Sequence, residues 1–144
     1  MTYLEALQTT LAAEHAAVYV YGVLGAQTSQ SAEPTLFLAV SQAYAAHRQG
    51  RDLLVARVVD LDAEPVAAEP VYEVPVDLST TDAVRRRALG LERSCAATYA
   101  YLVASSPSEE RRFAITALTQ TAVRELAFRG TPEMFPGSDE HADR

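Results

Sequence analysis

The sequence predicts an all-α protein, a four-helix bundle in which a long, proline-rich connection joins the second and third helices. Two observations carry this prediction. Apolar side chains recur every three or four residues in four stretches, which is typical of helices with one buried face. Prolines occur in the middle of the chain at a spacing that no helix tolerates, so an extended segment separates the two halves.

The first two helices are predicted over residues 3–27 and 34–61. The apolar face of the first is formed by Leu4, Leu7, Leu11, Val18, Tyr21 and Leu24. Pro34 suits the first turn of the second helix, because an N–H is not needed there. The stripe of the second helix is formed by Phe37, Val40, Tyr44, His47, Arg51, Leu54 and Val58. His47 and Arg51 are unexpected in such a stripe.

The connection between the second and third helices is predicted to be an extended strap over residues 62–79. It contains Pro65, Pro70 and Pro75. A helix of about 25 residues is about 37 Å long, whereas an extended strap of about 18 residues reaches roughly 60 Å. The strap is therefore long enough to cross the bundle, so that the third helix starts at the far end.

The third and fourth helices are predicted over residues 82–104 and 107–128. Residues 80–82 offer side-chain oxygens that cap the third helix. Glu109 and Glu110 lie in the first turn of the fourth, where the helix dipole favours them. The inward residues of the fourth helix are expected to be Phe113, Leu118, Ala122 and Leu126. Two short loops and one long crossover are the connectivity of ferritin-like bundles.

The chain is expected to form one ferritin-like domain over residues 1–130, followed by a C-terminal tail over residues 131–144. A length of 144 residues and a hydrophobic fraction of 49 % fit one domain with a substantial core. The tail contains two prolines, a glycine and late charges, so we expect it to be draped over the bundle or disordered.

Composition excludes several classes of function. The formal net charge is −7, which argues against nucleic acid and against anionic lipid as partners. Cys95 is the single cysteine, so neither an intrachain disulfide nor a cysteine-rich zinc site is expected. The sequence has no long apolar run and its N-terminus has no basic signal-peptide region, so we expect a cytoplasmic protein.

Each predicted helix carries an ionisable residue near its middle, on or beside the apolar face. These residues are Glu14, His47 with Arg51, Glu92 and Glu125. A lone buried charge is costly, so we expect these groups to pair with one another or to bind a metal. Glu14 and Glu92 match the two single glutamates of di-iron carboxylate bundles.

The two Glu-x-x-His motifs of such bundles are incomplete. His47 is preceded at the required distance by Tyr44 where a glutamate is needed. Glu125 is followed at that distance by Phe128 where a histidine is needed. The expected set therefore lacks one carboxylate and one imidazole.

Two interpretations remain open from these residues. The first is a salt-bridge network without a metal, with Arg51 supplying positive charge; its members are Glu14, Tyr44, His47, Arg51 and Glu92. The second is a reduced iron or manganese site, whose ligands are Glu14, His47, Glu92 and Glu125. An error in helical phase would instead leave some of these side chains in solvent.

Two further residues have less specific patterns. Cys95 lies three residues after Glu92, a spacing that suits a ligand pair, but a lone cysteine on an apolar helix face is expected to be core. His15 points about 100° away from Glu14 around the first helix, so we expect it at the surface or an interface.

Two segments resemble an actinobacterial ferritin-like family catalogued only as a domain of unknown function. They are residues 11–26, LAAEHAAVYVYGVLGA, and residues 44–54, YAAHRQGRDLL. The proline-rich strap, Leu91 with Glu92, and residues 135–137 are also similar to that family. The resemblance implies a ferritin-like bundle without an established activity. The positions it singles out are Glu14, His15, His47, Arg48, Arg51, Asp52 and Glu92.

The function expected from the sequence is that of a non-catalytic binding or interaction module for a small molecule or a protein. A homodimer is predicted, because the first and third helices carry more alanine and tyrosine than one buried stripe needs. The alternative is a metal-dependent redox enzyme, using iron or manganese in a reduced ligand set. A third hypothesis is a small-molecule binder in which His47 and Arg51 hold an anion.

Overall fold

The computed structural model describes residues 2–130 and 132–138. Within these residues the chain forms four helices and no β-strand, which confirms the predicted all-α four-helix bundle. The helices are α1, Tyr3–Gln27; α2, Pro34–Asp60; α3, Thr81–Ser105; and α4, Ser108–Ala127. Each boundary lies within one residue of its predicted position.

Local sequence explains where the helices begin. Thr2 caps α1 by accepting a hydrogen bond from the Glu5 N–H, and the Glu5 carboxylate accepts the Thr2 N–H at 2.7 Å. Thr80 caps α3 by accepting the N–H of Ala83 at 3.1 Å. Pro34 occupies the first turn of α2, where it disturbs no helical hydrogen bond.

The proline-rich strap between α2 and α3 runs along α1. Near its start, the Gln8 side chain donates to the Glu64 carbonyl at 2.7 Å and accepts the Val66 N–H at 2.8 Å. Farther along, the Tyr72 ring packs against Tyr19 with centroids 5.5 Å apart. The strap therefore advances from the first turns of α1 towards its C-terminal half, as a crossover requires.

The crossover sets which helices are neighbours. Thr81, at the start of α3, donates to the Glu33 carboxylate just before α2 at 3.0 Å, so α2 and α3 start at the same end of the bundle. α1 packs against both α2 and α3, and α3 packs against α4. The backbones of α2 and α4 come close at few positions, and a cleft lies between the two helices.

A polar layer divides the apolar interior into two clusters. The cluster towards the α1–α2 loop includes Val20, Leu24, Leu36, Val40, Ala88 and Phe128. The cluster at the other end includes Leu7, Leu11, Leu54, Val58, Leu102 and Ala114. The layer between them holds Glu14, His47 and Glu92, each at most 1 % exposed. Charged side chains are rarely buried to this degree unless they are paired.

The segment 132–138 lies against α3. Gly137 has a φ of +81°, and a Cβ there would be 2.5 Å from the Ala96 carbonyl oxygen, so only glycine fits this close approach. The other residues of the predicted tail, Thr131 and 139–144, lie outside the described part of the chain. Among the described residues, no helix is both long enough and apolar enough to cross a membrane.

Candidate functional site

His47 in α2 lies between a carboxylate from α1 and a carboxylate from α3. Its Nδ1 is 2.5 Å from Glu14 Oε2, and its Nε2 is 2.8 Å from Glu92 Oε1. A carboxylate is only an acceptor, so both hydrogen bonds form together only when both imidazole nitrogens carry a proton. With Glu14 and Glu92 ionised, this geometry requires an imidazolium between the two carboxylates.

The electrostatics of the cluster agree with this protonation state. Burial by itself lowers the pKa of His47, but the hydrogen bonds and charges of Glu14 and Glu92 outweigh it and raise the pKa to about 9. Burial also opposes ionisation of Glu92, yet His47 and Arg124 hold the pKa of this carboxyl below its usual value. His47 and Glu92 are therefore charged at neutral pH.

Two tyrosine hydroxyl groups also donate hydrogen bonds to these carboxylates. The Tyr99 hydroxyl donates to Glu14 Oε1 at 2.6 Å, and the Tyr21 hydroxyl donates to Glu92 Oε1 at 2.6 Å. The Tyr21 ring also stacks on the His47 imidazole, with centroids 5.2 Å apart and planes at 19°. Burial and the neighbouring glutamates raise the pKa of both phenols well above the usual value, so both remain donors.

The second cation of the cluster comes from α4. Arg124 Nε donates to Glu92 Oε2 at 3.0 Å, and its Nη2 donates to Thr121 Oγ1 at 3.0 Å. Two carboxylates thus face one imidazolium and one guanidinium. Because these charges balance and their hydrogen bonds are satisfied, the cluster avoids the large cost of an unpaired buried charge.

Arg51, which the sequence interpretation placed in the network, lies outside it. Its guanidinium pairs with the neighbouring Asp52 at 2.8 Å, and its side chain is 27 % exposed. The positive charge is supplied by Arg124 because α4 is rotated relative to the expected phase. Its buried residues are Ala114, Thr121 and Glu125, whereas the expected Leu126 is 46 % exposed.

Tyr44 lies beside the apolar cluster near the α1–α2 loop. The Arg48 guanidinium lies over the Tyr44 ring, 5.6 Å from its centroid. Tyr44 therefore does not occupy the place in the hydrogen-bonded network that the sequence interpretation gave it. The phenol groups come instead from Tyr21, which the sequence interpretation placed on the apolar face of the first helix, and from Tyr99 in α3. Pairing between α1 and α3, rather than a motif within one helix, brings them there.

Glu125 is buried in α4 but pairs outside the His47 cluster. Its Oε2 is 3.8 Å from Arg93 Nε, and its Oε1 has no hydrogen-bond partner among the described residues. Burial, reinforced by the charge of Glu133, raises the pKa of Glu125 to about 7.

The four residues expected as iron or manganese ligands do not converge on one point. Glu14 and Glu92 lie on opposite nitrogens of His47, so one ion cannot contact both carboxylates and the imidazole without rearrangement. Glu125 faces Arg93 instead. The residues present therefore do not fit a di-iron site or the reduced set of Glu14, His47, Glu92 and Glu125.

A cleft between α2 and α4 reaches this cluster. It encloses about 160 Å³, and its inner end includes Glu14 and Tyr99. A Cβ at Gly50 in α2 would lie 3.1 Å from the Tyr99 hydroxyl and 3.2 Å from Glu14 Oε1, so glycine keeps this end open. The polar side chains along the walls are Gln49, Thr116, Gln120 and Arg124. Such a mixture of donors and acceptors suits a small polar molecule.

Fold and site together define a class: an all-α four-helix bundle whose core holds a charge-balanced polar cluster at the end of a cleft. The chain belongs to the family described as a domain of unknown function (DUF4439), whose profile matches residues 6–140. The predicted membership of a family of unknown function is thereby confirmed.

A solved structure is similar over most of the chain. It is the crystal structure of a conserved hypothetical protein, rv2844, from Mycobacterium tuberculosis. The two are 28 % identical with a TM-score of 0.79, and the match covers 87 % of this chain and 86 % of the other. No curated protein matches the sequence.

Proposed function

We propose that the protein is a binding module that holds a small polar molecule in the cleft between α2 and α4. The observation that carries this proposal is the cavity of about 160 Å³ whose inner end reaches Glu14 and Tyr99. The crossover strap and the two helix pairs support a ferritin-like scaffold for this module. The polar cluster forms the fixed floor of the cleft.

A non-catalytic role is supported by the way the cluster is satisfied internally. Glu14 accepts hydrogen bonds from His47 and Tyr99 through its two oxygens. One oxygen of Glu92 accepts from His47, and the other accepts from Arg124. A network with its partners already in place rigidifies the core, and rigid surroundings lower the cost of ordering a bound ligand.

The size and lining of the cleft define the class of ligand. Cavities of roughly 150 Å³ hold molecules the size of benzene, so the ligand has on the order of six to ten non-hydrogen atoms. Leu53 and Phe113 give the cleft apolar surface, while Gln49 and Gln120 offer amide donors and acceptors. The expected ligand therefore combines a short apolar body with hydroxyl, amide or carboxylate groups.

A matched pair of threonine variants tests this proposal. Thr116 lines the cleft and Thr119 does not, although both are exposed on α4 and each donates to the carbonyl four residues before it. Thr116→Trp should fill the cleft, and Thr119→Trp should leave it open. Binding would be followed by NMR shift changes with a primary amine, a monocarboxylate, a primary amide and a polyol as probes.

The proposal expects at least one probe to shift resonances of cleft residues in the wild type and in Thr119→Trp, but not in Thr116→Trp. Equal binding to Thr116→Trp would place the ligand elsewhere and contradict the proposal. Absence of binding by every probe to the folded wild type would also count against it.

We also infer that the chain forms a homodimer and acts in the cytoplasm, as expected from the sequence. Large apolar side chains on the outer surfaces of α3 and α4 support self-association; they are Tyr101, Ile115, Val123 and Leu126. Light scattering at micromolar concentration tests whether the chain forms a homodimer. Twice the mass of one chain is expected, and a monomeric mass would contradict it.

A further inference from the structure

We propose that Glu14, His47 and Cys95 form a zinc site at the inner end of the cleft. One donor atom from each residue lies within 4.8 Å of the other two, and all three residues are buried. This set replaces Glu92 and Glu125 of the ligands expected from the sequence with the thiol of Cys95. The zinc site stands on these donors and does not depend on the proposed small-molecule function.

The donor types and their spacing suit zinc. Zn²⁺ accepts carboxylate oxygen, imidazole nitrogen and thiolate sulfur at about 2.0 to 2.3 Å, so tetrahedral ligands lie about 3 to 4 Å apart. To reach that spacing, Glu14 Oε2 and His47 Nδ1, now 2.5 Å apart, would move apart, and any donor separation near the 4.8 Å limit would shorten. Three protein ligands leave a fourth position open for water or another small ligand.

Glu92 and Tyr99 form hydrogen bonds to the proposed ligands that would hold them in place around a metal. His47 Nδ1 faces Glu14, so an ion between them binds Nδ1 and leaves Nε2–H to donate to Glu92 at 2.8 Å. The Tyr99 hydroxyl donates to the other oxygen of Glu14 at 2.6 Å. A carboxylate behind a metal-bound histidine fixes its orientation and raises its affinity for the metal.

Zinc binding is also compatible with the net charge of the site and with its connection to solvent. Zn²⁺ would take the place of the proton shared by Glu14 and His47 and of the thiol proton of Cys95. Two protons leave as one dication enters, so the net charge of the buried cluster is unchanged. The cleft that reaches Glu14 offers a path for the ion from solvent.

Metal binding by the full chain, stripped of metal with a chelator, tests this site. Titration with Zn²⁺ is expected to give one ion per chain. Titration with Co²⁺ is expected to give a thiolate-to-metal charge-transfer band in the near ultraviolet and the visible bands of a tetrahedral site. Cys95→Ser, which keeps the shape of the side chain, should remove the charge-transfer band. It should also weaken zinc binding at least as much as loss of an outer partner, about 10–100-fold.

His15→Ala is the matched control. His15 lies on α1 outside the cluster, with its Nε2 3.0 Å from the Val66 carbonyl of the strap, so its removal should leave zinc affinity unchanged. Zinc binding that survives Cys95→Ser undiminished would overturn the proposal. So would a wild-type cobalt spectrum without the thiolate band, or a folded wild type that binds no zinc. These measurements use no cleft ligand, so their outcome is separate from the Thr116→Trp test.

Discussion

His47 Nδ1 lies 2.5 Å from Glu14 Oε2, and neither side chain is more than 2 % exposed. This contact joins α1 to α2, and the second nitrogen of His47 extends the connection to Glu92 in α3. One side chain thus ties three helices together through charge-assisted hydrogen bonds, which are stronger than neutral ones. The stability of the bundle is therefore expected to depend on the charge of His47.

Removing His47 should be strongly destabilising. His47→Ala leaves the Glu14 and Glu92 carboxylates buried without the cation between them, which costs about 3–5 kcal/mol in the free energy of unfolding. Chemical denaturation at neutral pH measures this change. His15→Ala removes only the contact between His15 Nε2 and the Val66 carbonyl of the strap, so it should cost about 0.5–1.5 kcal/mol. Equal effects of the two variants would contradict the buried ion cluster.

Arg124 and Arg51 should differ in their effects on stability. Arg124→Met removes a hydrogen bond to the buried Glu92 and should cost roughly 1.5–3 kcal/mol. Arg51→Met removes only an ion pair with the exposed Asp52, so its cost should fall between about 0 and 1 kcal/mol. Thermal or urea denaturation of the two variants compares them directly. A larger loss for Arg51→Met would restore the network expected from the sequence.

The stability of the metal-free protein should fall as pH rises above neutrality. The pKa of His47 is raised from 6.5 to about 9 by the fold. Its stabilising contribution is therefore complete below pH 6.5 and is lost as the pH rises through 9. The loss is on the order of 3 kcal/mol, measured by urea denaturation in chelator. His47→Gln should abolish this decline, and an unchanged slope in that variant would contradict the assignment.

Glu125 should cause a separate decline at lower pH. Its pKa is raised from 4.5 to about 7, so the fold favours the protonated carboxyl. That contribution is present below pH 4.5 and is lost as the pH rises through 7. Glu125→Gln keeps the shape without the charge, so it should be more stable than the wild type at about pH 8 and similar to it at about pH 4. A less stable variant at about pH 8 would show that the ionised carboxylate is well paired.

The sequence was sufficient for the helix boundaries because strong local signals mark them. Thr2 and Thr80 cap helices, Pro34 starts one, and prolines fill the strap. The phase of α4 could not be set in this way. Val123 and Leu126 are apolar yet exposed, whereas Thr121 is polar yet buried, so its apolar pattern does not mark the buried face. The sequence analysis therefore did not predict that Arg124 pairs with Glu92 in the buried cluster.

The cleft and the convergence on Cys95 depend on tertiary structure. The opening lies between α2 and α4, and no pattern within either helix records how closely the two helices approach each other. Gly50 gave a weak signal, since a glycine inside a helix often has a packing reason. The spacing of Glu92 and Cys95 was visible in the sequence. Packing of α1 against both α2 and α3 is what brings Cys95 near Glu14 and His47.

The protonation state of His47 in the metal-free protein tests the central claim most directly, because the charged cluster is the floor of the cleft. Nitrogen NMR of the imidazole, followed against pH, reports whether each ring nitrogen carries a proton. We expect both His47 nitrogens to be protonated at neutral pH and to lose a proton with a pKa of about 9. An uncharged ring at neutral pH, with one unprotonated nitrogen, would contradict the imidazolium between Glu14 and Glu92.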